Sequence, residues 1–349
     1  MEISGELTDH TIVVKKATDV GRLYNKSHLG TPLSGNHLSL DLLEGVFLLD
    51  EKKMRLFHKR KEVDFQTLVT HAVADIPGFE TKYLVFKDLR TRGHAVKLQK
   101  VEPPTFYRFK QKNEATPSCF ICAFSERDIL DIDSVTHLVQ RLAKKEGVLW
   151  FALVDEEGDI TYYDVSTITL QGRISQQQYR KGAGLLLQNR VILFDASLAK
   201  QLLTKEFFGK PFGDALQLSF VEALYLTQRG TLEIHTATGT TLSVSKVLSY
   251  MMKLQPDIGD RLSVYTDLKQ HGMLVKTGFK FGAHFRAYTQ QPDQSHAEYL
   301  IHVVEKGFTS IWAEISRAVR LAHTVNKEFV FARVDGSHID FIKLGRLRP

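Results

Sequence analysis

The chain has 349 residues, 43% hydrophobic and 25% charged, with a formal net charge of +6. That balance excludes a disordered or fibrous chain and allows two domains with real cores. No apolar run approaches the ~20 residues of a membrane span. The acidic, polar start MEISGELTDH is not a secretory leader, so we expect a soluble cytoplasmic protein with no membrane partner. The mild positive charge is compatible with a polyanion but does not demand one.

In chain order, a short strand pattern comes first, TIVVKK from Thr11. LSLDLLEGVFLL follows, with apolar residues three and four apart, as on one helix face. VFKDLRTRGHAVK (Val85 to Lys97) reads as a helix that stops at Gly93, a natural left-handed C-terminal position. Cys119 and Cys122 then form a C-x-x-C inside the apolar run CFICAF. A structural zinc needs four ligands and there is no second pair, so we read buried, inert thiols suited to a reducing compartment. Residues 169–188, rich in Gln and Gly, read as a linker.

Beyond residue 188 the chain repeats itself. VYTDLKQHGMLVK (Val264 to Lys276) matches Val85–Lys97 at six of 13 positions, 179 residues on. Phe208–Leu226 answers Leu29–Leu49, RVILFD from Arg190 answers TIVVKK, and Glu328–Leu344 answers Val148–Val165. Four segments in the same order at offsets of 178 to 180 mean an internal duplication. The units are residues 1–168 and 189–349. In the second, Lys280–Tyr288 and Ala297–Val304 read as strands. A helix follows over about 310–324, with Ile311, Ile315, Val319 and Ala322 on one face and Thr309 or Ser310 as its cap. A strand from Glu328 and another near Ile339 close the unit. The fold class is α/β, of mixed α+β character, in two tandem repeats.

The duplication supplies an internal control. Aligning HFRAY on TFYRF sets Tyr288 against Phe109, which keeps the ring and lacks the hydroxyl. His296 faces about Pro117, and Lys327 faces Gly147 or Val148. A Tyr, a His and a Lys thus occur together in one copy only. Taken singly, each has an ordinary reading: a packing tyrosine, a structural histidine, a solvated lysine. His284, His302 and His323 are the neighbouring histidines.

The blocks G-x-K-F-G-x-x-F-x-x-Y (Gly278 to Tyr288), H-A-E (from His296) and R-L-A-H-x-V-x-K (Arg320 to Lys327) resemble the catalytic domain of the tRNA-splicing endonucleases, in their archaeal homodimeric form. The resemblance implies units built of a small N-terminal subdomain and a mixed-sheet C-terminal subdomain. It implies a structural first repeat, a catalytic second repeat, and a Tyr288, His296 and Lys327 triad. The implied substrate is precursor tRNA with bulge–helix–bulge intron junctions. Arg320 and Arg346 correspond to arginines that clamp an extruded base, with Arg348 an alternative to Arg346. An acidic loop of the structural copy, here Asp155, Glu156, Glu157 and Asp159, is implied to dock on the other subunit of a homodimer. The bland reading of that loop is a solvated turn.

The chemistry suits these residue types. RNA carries its own nucleophile in the 2′-OH, so an enzyme needs only a proton acceptor, a proton donor and positive charge for the phosphorane. Histidine suits the acid. A tyrosine with its ordinary pKa near ~10 needs a cation beside it to serve as base. The reaction needs no metal or other cofactor, and it leaves a 2′,3′-cyclic phosphate and a 5′-hydroxyl. Two rivals remain. Asp257 with Asp267-x-Lys269 resembles a metal-dependent restriction-type nuclease, although Asp267 recurs as Asp88 in the first copy. A non-catalytic RNA-binding subunit requires the triad to be scattered in space.

Overall fold

The structure, a computed structural model, describes residues 2–99, 103–109, 117–291 and 296–349. Each unit opens one strand earlier than the sequence pattern shows, with Ile3–Leu7 and Gly182–Leu186. The second unit therefore begins inside the stretch read as linker. Glycine hides this strand: a Cβ at Gly182 would collide with the Leu198 side chain, and one at Gly184 would stand 2.6 Å from Val191. These glycines serve close packing, although glycine weakens a strand pattern.

Each opening strand pairs antiparallel with the strand expected first (Ile12–Val14; Val191–Leu193) and parallel with Met54–His58 or Leu232–His235. The result is a six-stranded sheet in each N-terminal subdomain. The helix packed there, Leu42–Asp50 or Phe220–Gln228, starts with a capping box, Asp41 with Glu44 or Ser219 with Glu222. In both copies the same glutamate does a second job. Glu44 Oε1 accepts from Gly30 N–H (2.9 Å) and from Lys97 Nζ (3.0 Å), and Lys97 also donates to Gly30 O (2.8 Å). In the second unit Glu222 accepts from Gly209 N–H (2.9 Å) and Lys276 Nζ (3.3 Å), and Lys276 donates to Gly209 O (2.8 Å). Gly30 and Gly209 take φ of 74° and 63°, where glycine is at home. Lys97 and Lys276 end the two repeated motifs, so this link between subdomains explains why the lysine persists.

The C-terminal subdomains share one ten-stranded sheet. From one edge the strands are Leu274–Thr277, Phe285–Tyr288, Tyr299–Glu305, Glu328–Asp335 and His338–Leu347, then Ile160–Thr167, Val148–Val154, Cys119–Ser125, Phe106–Arg108 and Val96–Leu98. The order is a mirror about the antiparallel pair His338–Leu347 and Ile160–Thr167, where Tyr163 faces Arg346. Helices Phe79–Thr91 and Ile258–Gln270 cover one face within their own units' cores. Helices Ile132–Ala143 and Trp312–Thr324 cover the other in a core that joins the units, built around Phe151, Tyr163, Trp312, Phe331 and Ile342. Gly93 and Gly272 (φ 89° and 71°) end the repeated helices as expected.

Two local expectations change, and the reading of the cysteines holds. Only Phe285–Tyr288 of the expected strand 280–288 is extended, because Phe279–Phe281 forms a 3-10 turn. The helix expected from 310 starts at Trp312 without a side-chain cap, since Thr309–Ile311 pairs instead with Ile129–Asp131 of the first unit. Cys119 and Cys122 lie three residues apart on one strand, hence on opposite faces and in different cores. Burial pushes the Cys119 thiol up to about 11. They cannot act as a pair.

The subdomain link generates a stability prediction. Burial alone would raise the Glu222 carboxyl, but Lys276 and the hydrogen bonds from Ser219 and Gly209 overcome it and hold the group below its ordinary value. A carboxylate lowered on folding stabilises above its unfolded pKa of about 4.3 and loses that contribution as pH falls through the folded value. Glu222→Ala should cost about 3–5 kcal/mol at pH 7, as removal of one partner of a buried pair does. Urea melts at pH 7 and pH 3 should show the gap to wild type shrinking in acid; a gap independent of pH would refute the link.

Candidate active site

Strand register brings the candidate residues onto one line across the sheet. Ala287 faces Tyr299, so Tyr288 stands level with Glu298; Glu298 N–H donates to Ala287 O (3.1 Å). Tyr299 faces Glu328, so Glu298 stands level with Lys327; Glu328 N–H donates to Glu298 O (2.8 Å). Phe329 faces Leu344, and the same register continued sets Lys327 level with Arg346, itself opposite Tyr163. Side chains alternate faces along a strand. Leu300, Phe329 and Leu344 lie in the core beneath helix Trp312–Thr324. Tyr288, Glu298, Lys327 and Arg346, two residues from that row, therefore share the same face. With strands ~4.8 Å apart, Tyr288 and Lys327 are about two steps, ~10 Å, from one another at Cα, and Lys327 and Arg346 one step.

Tyr288 is 7% exposed and packs with Leu274 and Ala297, flanked by Ile174 and Phe207. His296 is exposed, next to Ala297 and two residues from Glu298. Lys327 is half-buried, its Nζ 3.3 Å from Val325 O and 5.6 Å from the Phe281 ring centroid. The first unit has the same frame without the groups. Val96 faces Arg108 as Val275 faces Ala287, so Phe109 occupies the place of Tyr288. Val148 faces Cys119 as Glu328 faces Tyr299, so Gly147 occupies the place of Lys327.

Arg320 and Arg346 are both exposed and meet over a residue of the other unit. Tyr163, 2% exposed, shares a hydrogen bond with Ser316 Oγ (2.8 Å), one helical turn before Arg320, and faces Arg346 across the strands. Burial pushes the Tyr163 phenol up, while Ser316 and the guanidiniums of Arg320 and Arg346 pull it down, as groups close to it must. Arg348 lies beyond the strand end. Tyr163 was invisible to sequence reasoning because it belongs to the copy without the triad.

Two further residues were missed. Arg286 shares Tyr288's face, its guanidinium 5.8 Å from the Tyr288 ring centroid and its Nε buried without a hydrogen bond among the described residues. Glu298 fixes the segment after Tyr288: it accepts from Thr289 N–H (2.9 Å) and Thr289 Oγ1 (2.7 Å). The H-A-E block contained Glu298, but a carboxylate next to a histidine more readily suggests chemistry than a clamp.

The neighbouring histidines separate cleanly. The His284 and His302 rings lie 4.5 Å apart at a tilt of 33°, and Val303 N–H donates to His284 Nδ1 (2.8 Å). Burial, then His302 and Arg261, push His284 down to about 4, and burial also lowers His302. They are half-buried residues held neutral, whereas His323 is exposed near the helix end. The restriction-type pattern does not assemble. Asp257 pairs with Arg261 (2.5 Å), Asp267 with His271 (3.4 Å), and Lys269 is buried against Glu206 (3.0 Å). Asp257 stands just before the helix that carries Asp267, and ten residues of rise separate them by about 15 Å.

The acidic turn follows Val148–Val154 and is exposed. Asp155 shapes it by accepting from the N–H groups of Glu157 (3.0 Å) and Asp159 (2.9 Å), and Glu156 pairs with Arg127. Glu157 and Asp159 have no side-chain partner among the described residues. Because Ile160–Thr167 runs against His338–Leu347, this turn leaves the sheet at the same end as the Tyr288–Arg346 row.

Comparison with known proteins agrees with this architecture. Residues 258–341 match the family model of the tRNA intron endonuclease catalytic C-terminal domain, and residues 3–69 and 182–248 each match that of the N-terminal domain. The chain is 35% identical to a tRNA-splicing endonuclease of Methanococcoides burtonii, over 97% of this chain and 98% of the relative. It is 31% identical to that of Methanosarcina mazei, over 97% of each. A tRNA-splicing endonuclease of Methanopyrus kandleri is 38% identical over 133 residues, 38% of this chain and 74% of the relative.

The contact between units at the arginines is testable by itself. Tyr163→Phe should cost about 1–3 kcal/mol, because Ser316 Oγ is left unpaired in a dry core. Adding Ser316→Ala should recover part of that loss. Urea denaturation of the three variants closes the cycle, and strictly additive losses would show that the two groups do not interact.

Proposed function

We propose that this chain, which belongs to the tRNA intron endonuclease family and acts as a tRNA-splicing endonuclease, excises introns at bulge–helix–bulge junctions by internal transesterification. The observation that carries the reading is the line of Tyr288, Lys327 and Arg346 across one sheet face, with His296 at its edge and Arg320 above it. The 2′-oxygen attacks the adjacent phosphorus as its proton passes to Tyr288, which acts as the phenolate with Lys327 and Arg286 as the nearby cations. Lys327 neutralises the nonbridging oxygens of the phosphorane. The bond to the 5′-oxygen breaks as His296 gives that oxygen a proton. A 2′,3′-cyclic phosphate and a 5′-hydroxyl remain; Tyr288 then loses the proton it gained to water and His296 takes one up, which restores both groups. No step calls for a metal. Arg320 and Arg346 hold an unpaired base by stacking, as planar guanidiniums do.

In this reading the second repeat, 189–349 with the strand from Gly182 added to it, is catalytic and the first, 1–168, is structural. One chain supplies one site, whereas a bulge–helix–bulge substrate has two cleavage points related by approximate two-fold symmetry. A C2 homodimer supplies both. Glu157 and Asp159 are the members of the acidic turn left to meet basic residues of the other subunit. The protein works in the cytoplasm, where its precursor tRNA substrate and its reduced thiols belong.

His296→Ala should slow cleavage by roughly 10²–10⁴-fold with RNA binding retained. Wild-type cleavage should persist in excess chelator, with end analysis giving the cyclic phosphate. Cleavage abolished by chelator would return the metal-dependent reading, and binding without cleavage would return the RNA-binding subunit. Arg320→Ala should slow cleavage of bulged RNA and Arg320→Lys should restore little, since an ammonium does not stack as a plane; full rescue by lysine would reduce Arg320 to a phosphate contact.

Replacement of Asp155, Glu156, Glu157 and Asp159 by lysine should shift the protein toward monomer and abolish paired cleavage. Light scattering decides: a variant that stays dimeric and cuts normally would leave the turn merely solvated.

A further inference from the structure

The segment between the repeats does not hang free beside the second unit. Gly172 N–H donates to His271 O (2.9 Å), Arg173 N–H to Thr289 O (2.9 Å) and Ile174 N–H to Gly272 O (2.8 Å). Gln176 Nε2 reaches Lys269 O (3.1 Å), and Gln177 N–H reaches Glu206 Oε1 (2.9 Å). The segment thus closes on both the repeated helix's C-terminus and the residue after Tyr288. The approach is too close for any side chain at its start: a Cβ on Gly172 would collide with the backbone of Gly272. Ile174 then packs on the small cluster of Leu274, Tyr288 and Ala297.

The first unit shows the same groove without the segment. At Gly93, the counterpart of Gly272, an added Cβ would meet nothing within 4 Å. There a cavity of about 520 Å³ is lined by Gly93, His94, Tyr107, Arg108 and Phe109, and Phe109 is the counterpart of Tyr288. The groove is therefore filled in the unit that carries the triad, and open among the described residues of the unit that lacks it. Ile174 thus seats, with Phe207, against the cluster that holds Tyr288. Arg173, in the same segment, is exposed, and its guanidinium has no partner among the described residues. Its backbone is pinned one residue beyond Tyr288, which carries a free cation to the edge of the site.

We infer that residues 172–174 form a wall of the active site, in which Ile174 positions the Tyr288 ring and Arg173 receives a backbone phosphate of the RNA beside the scissile bond. This rests on the reading of Tyr288 given above. A phenol displaced by ~1 Å loses near-attack geometry, and such misplacement costs up to about 10²-fold in rate. An arginine on a flanking phosphate contributes affinity that falls with salt, about 0.7–0.9 in log–log slope for each phosphate neutralised.

The test compares wild type with Ile174→Ala, Ile174→Val, Arg173→Gln and Arg173→Lys on a bulge–helix–bulge RNA. Ile174→Ala should lower kcat tenfold or more with KM little changed, and Ile174→Val should restore most of it. Arg173→Gln should raise KM several-fold and flatten the salt dependence of binding by about one phosphate, and Arg173→Lys should restore the slope. Two readouts need no turnover: the salt slope of RNA binding, and amide exchange in strand Phe285–Tyr288, which Ile174→Ala should accelerate. Wild-type kcat and exchange in Ile174→Ala, or an unchanged slope in Arg173→Gln, would overturn the inference. A folded wild type that fails to cut would instead overturn the functional reading, and the two turnover-free readouts would still decide whether the wall exists.

Discussion

The antiparallel pairing of Ile160–Thr167 with His338–Leu347 is the constraint on which the rest depends. It runs from Tyr162 opposite Leu347 to Thr167 opposite Ile342 and fuses two five-stranded halves into one sheet. Because side-chain faces alternate with a period of two, a slip of one residue would turn Tyr163 away from Arg346 and from the face that carries Lys327. The shared core beneath helices Ile132–Ala143 and Trp312–Thr324 opposes such a slip, since Phe151 and Tyr163 would leave it while Phe331 and Ile342 stayed. The first repeat is thus built into the geometry of the candidate site, although it lacks the triad.

The two ends of the second unit's half-sheet handle positive charge differently. At one end Arg333 is buried and fully engaged, with Asp133 at 2.5 Å, Asp340 at 3.0 Å and Asp335 at 3.2 Å. Asp340 also accepts from Gln140 of the first unit (2.9 Å). That cluster locks the repeats together. At the other end Lys327, Arg320, Arg346 and Arg286 have no carboxylate pair among the described residues, and Glu298 is occupied by Thr289. Unpaired cations at one end and satisfied cations at the other suit a polyanion at the first and assembly at the second.

The repeated motifs now divide by role. Glu44 with Lys97 and Glu222 with Lys276 persist in both copies because each unit needs its two subdomains joined. Asp88 accepts from the Tyr162 hydroxyl (2.7 Å) and from Arg92 (2.8 Å), while Asp267 meets His271. Residues retained twice are structural, and residues present once line the candidate site. Duplication therefore acts as a comparison within one molecule.

Much of this was legible without coordinates. The repeat, the mixed α/β class, the helix ends at Gly93 and Gly272, and the restriction of Tyr288, His296 and Lys327 to one copy follow from local pattern and internal alignment. These depend on neighbours in sequence, or on a second copy of the same text, and the family resemblance added their proposed roles. What the tertiary structure alone decided depends on contacts between distant segments. The strands at Ile3–Leu7 and Gly182–Leu186 carry glycines that signal a turn until their packing partners are present. Thr309–Ile311 resembles a helix cap until Ile129–Asp131 pairs with it. Tyr163 joins the arginines, and Ile174 joins Tyr288, across repeat boundaries that sequence periodicity does not cross. Local sequence fixes what a segment prefers to be, while register and packing over 100 residues or more fix what it touches, and a site is made of what touches.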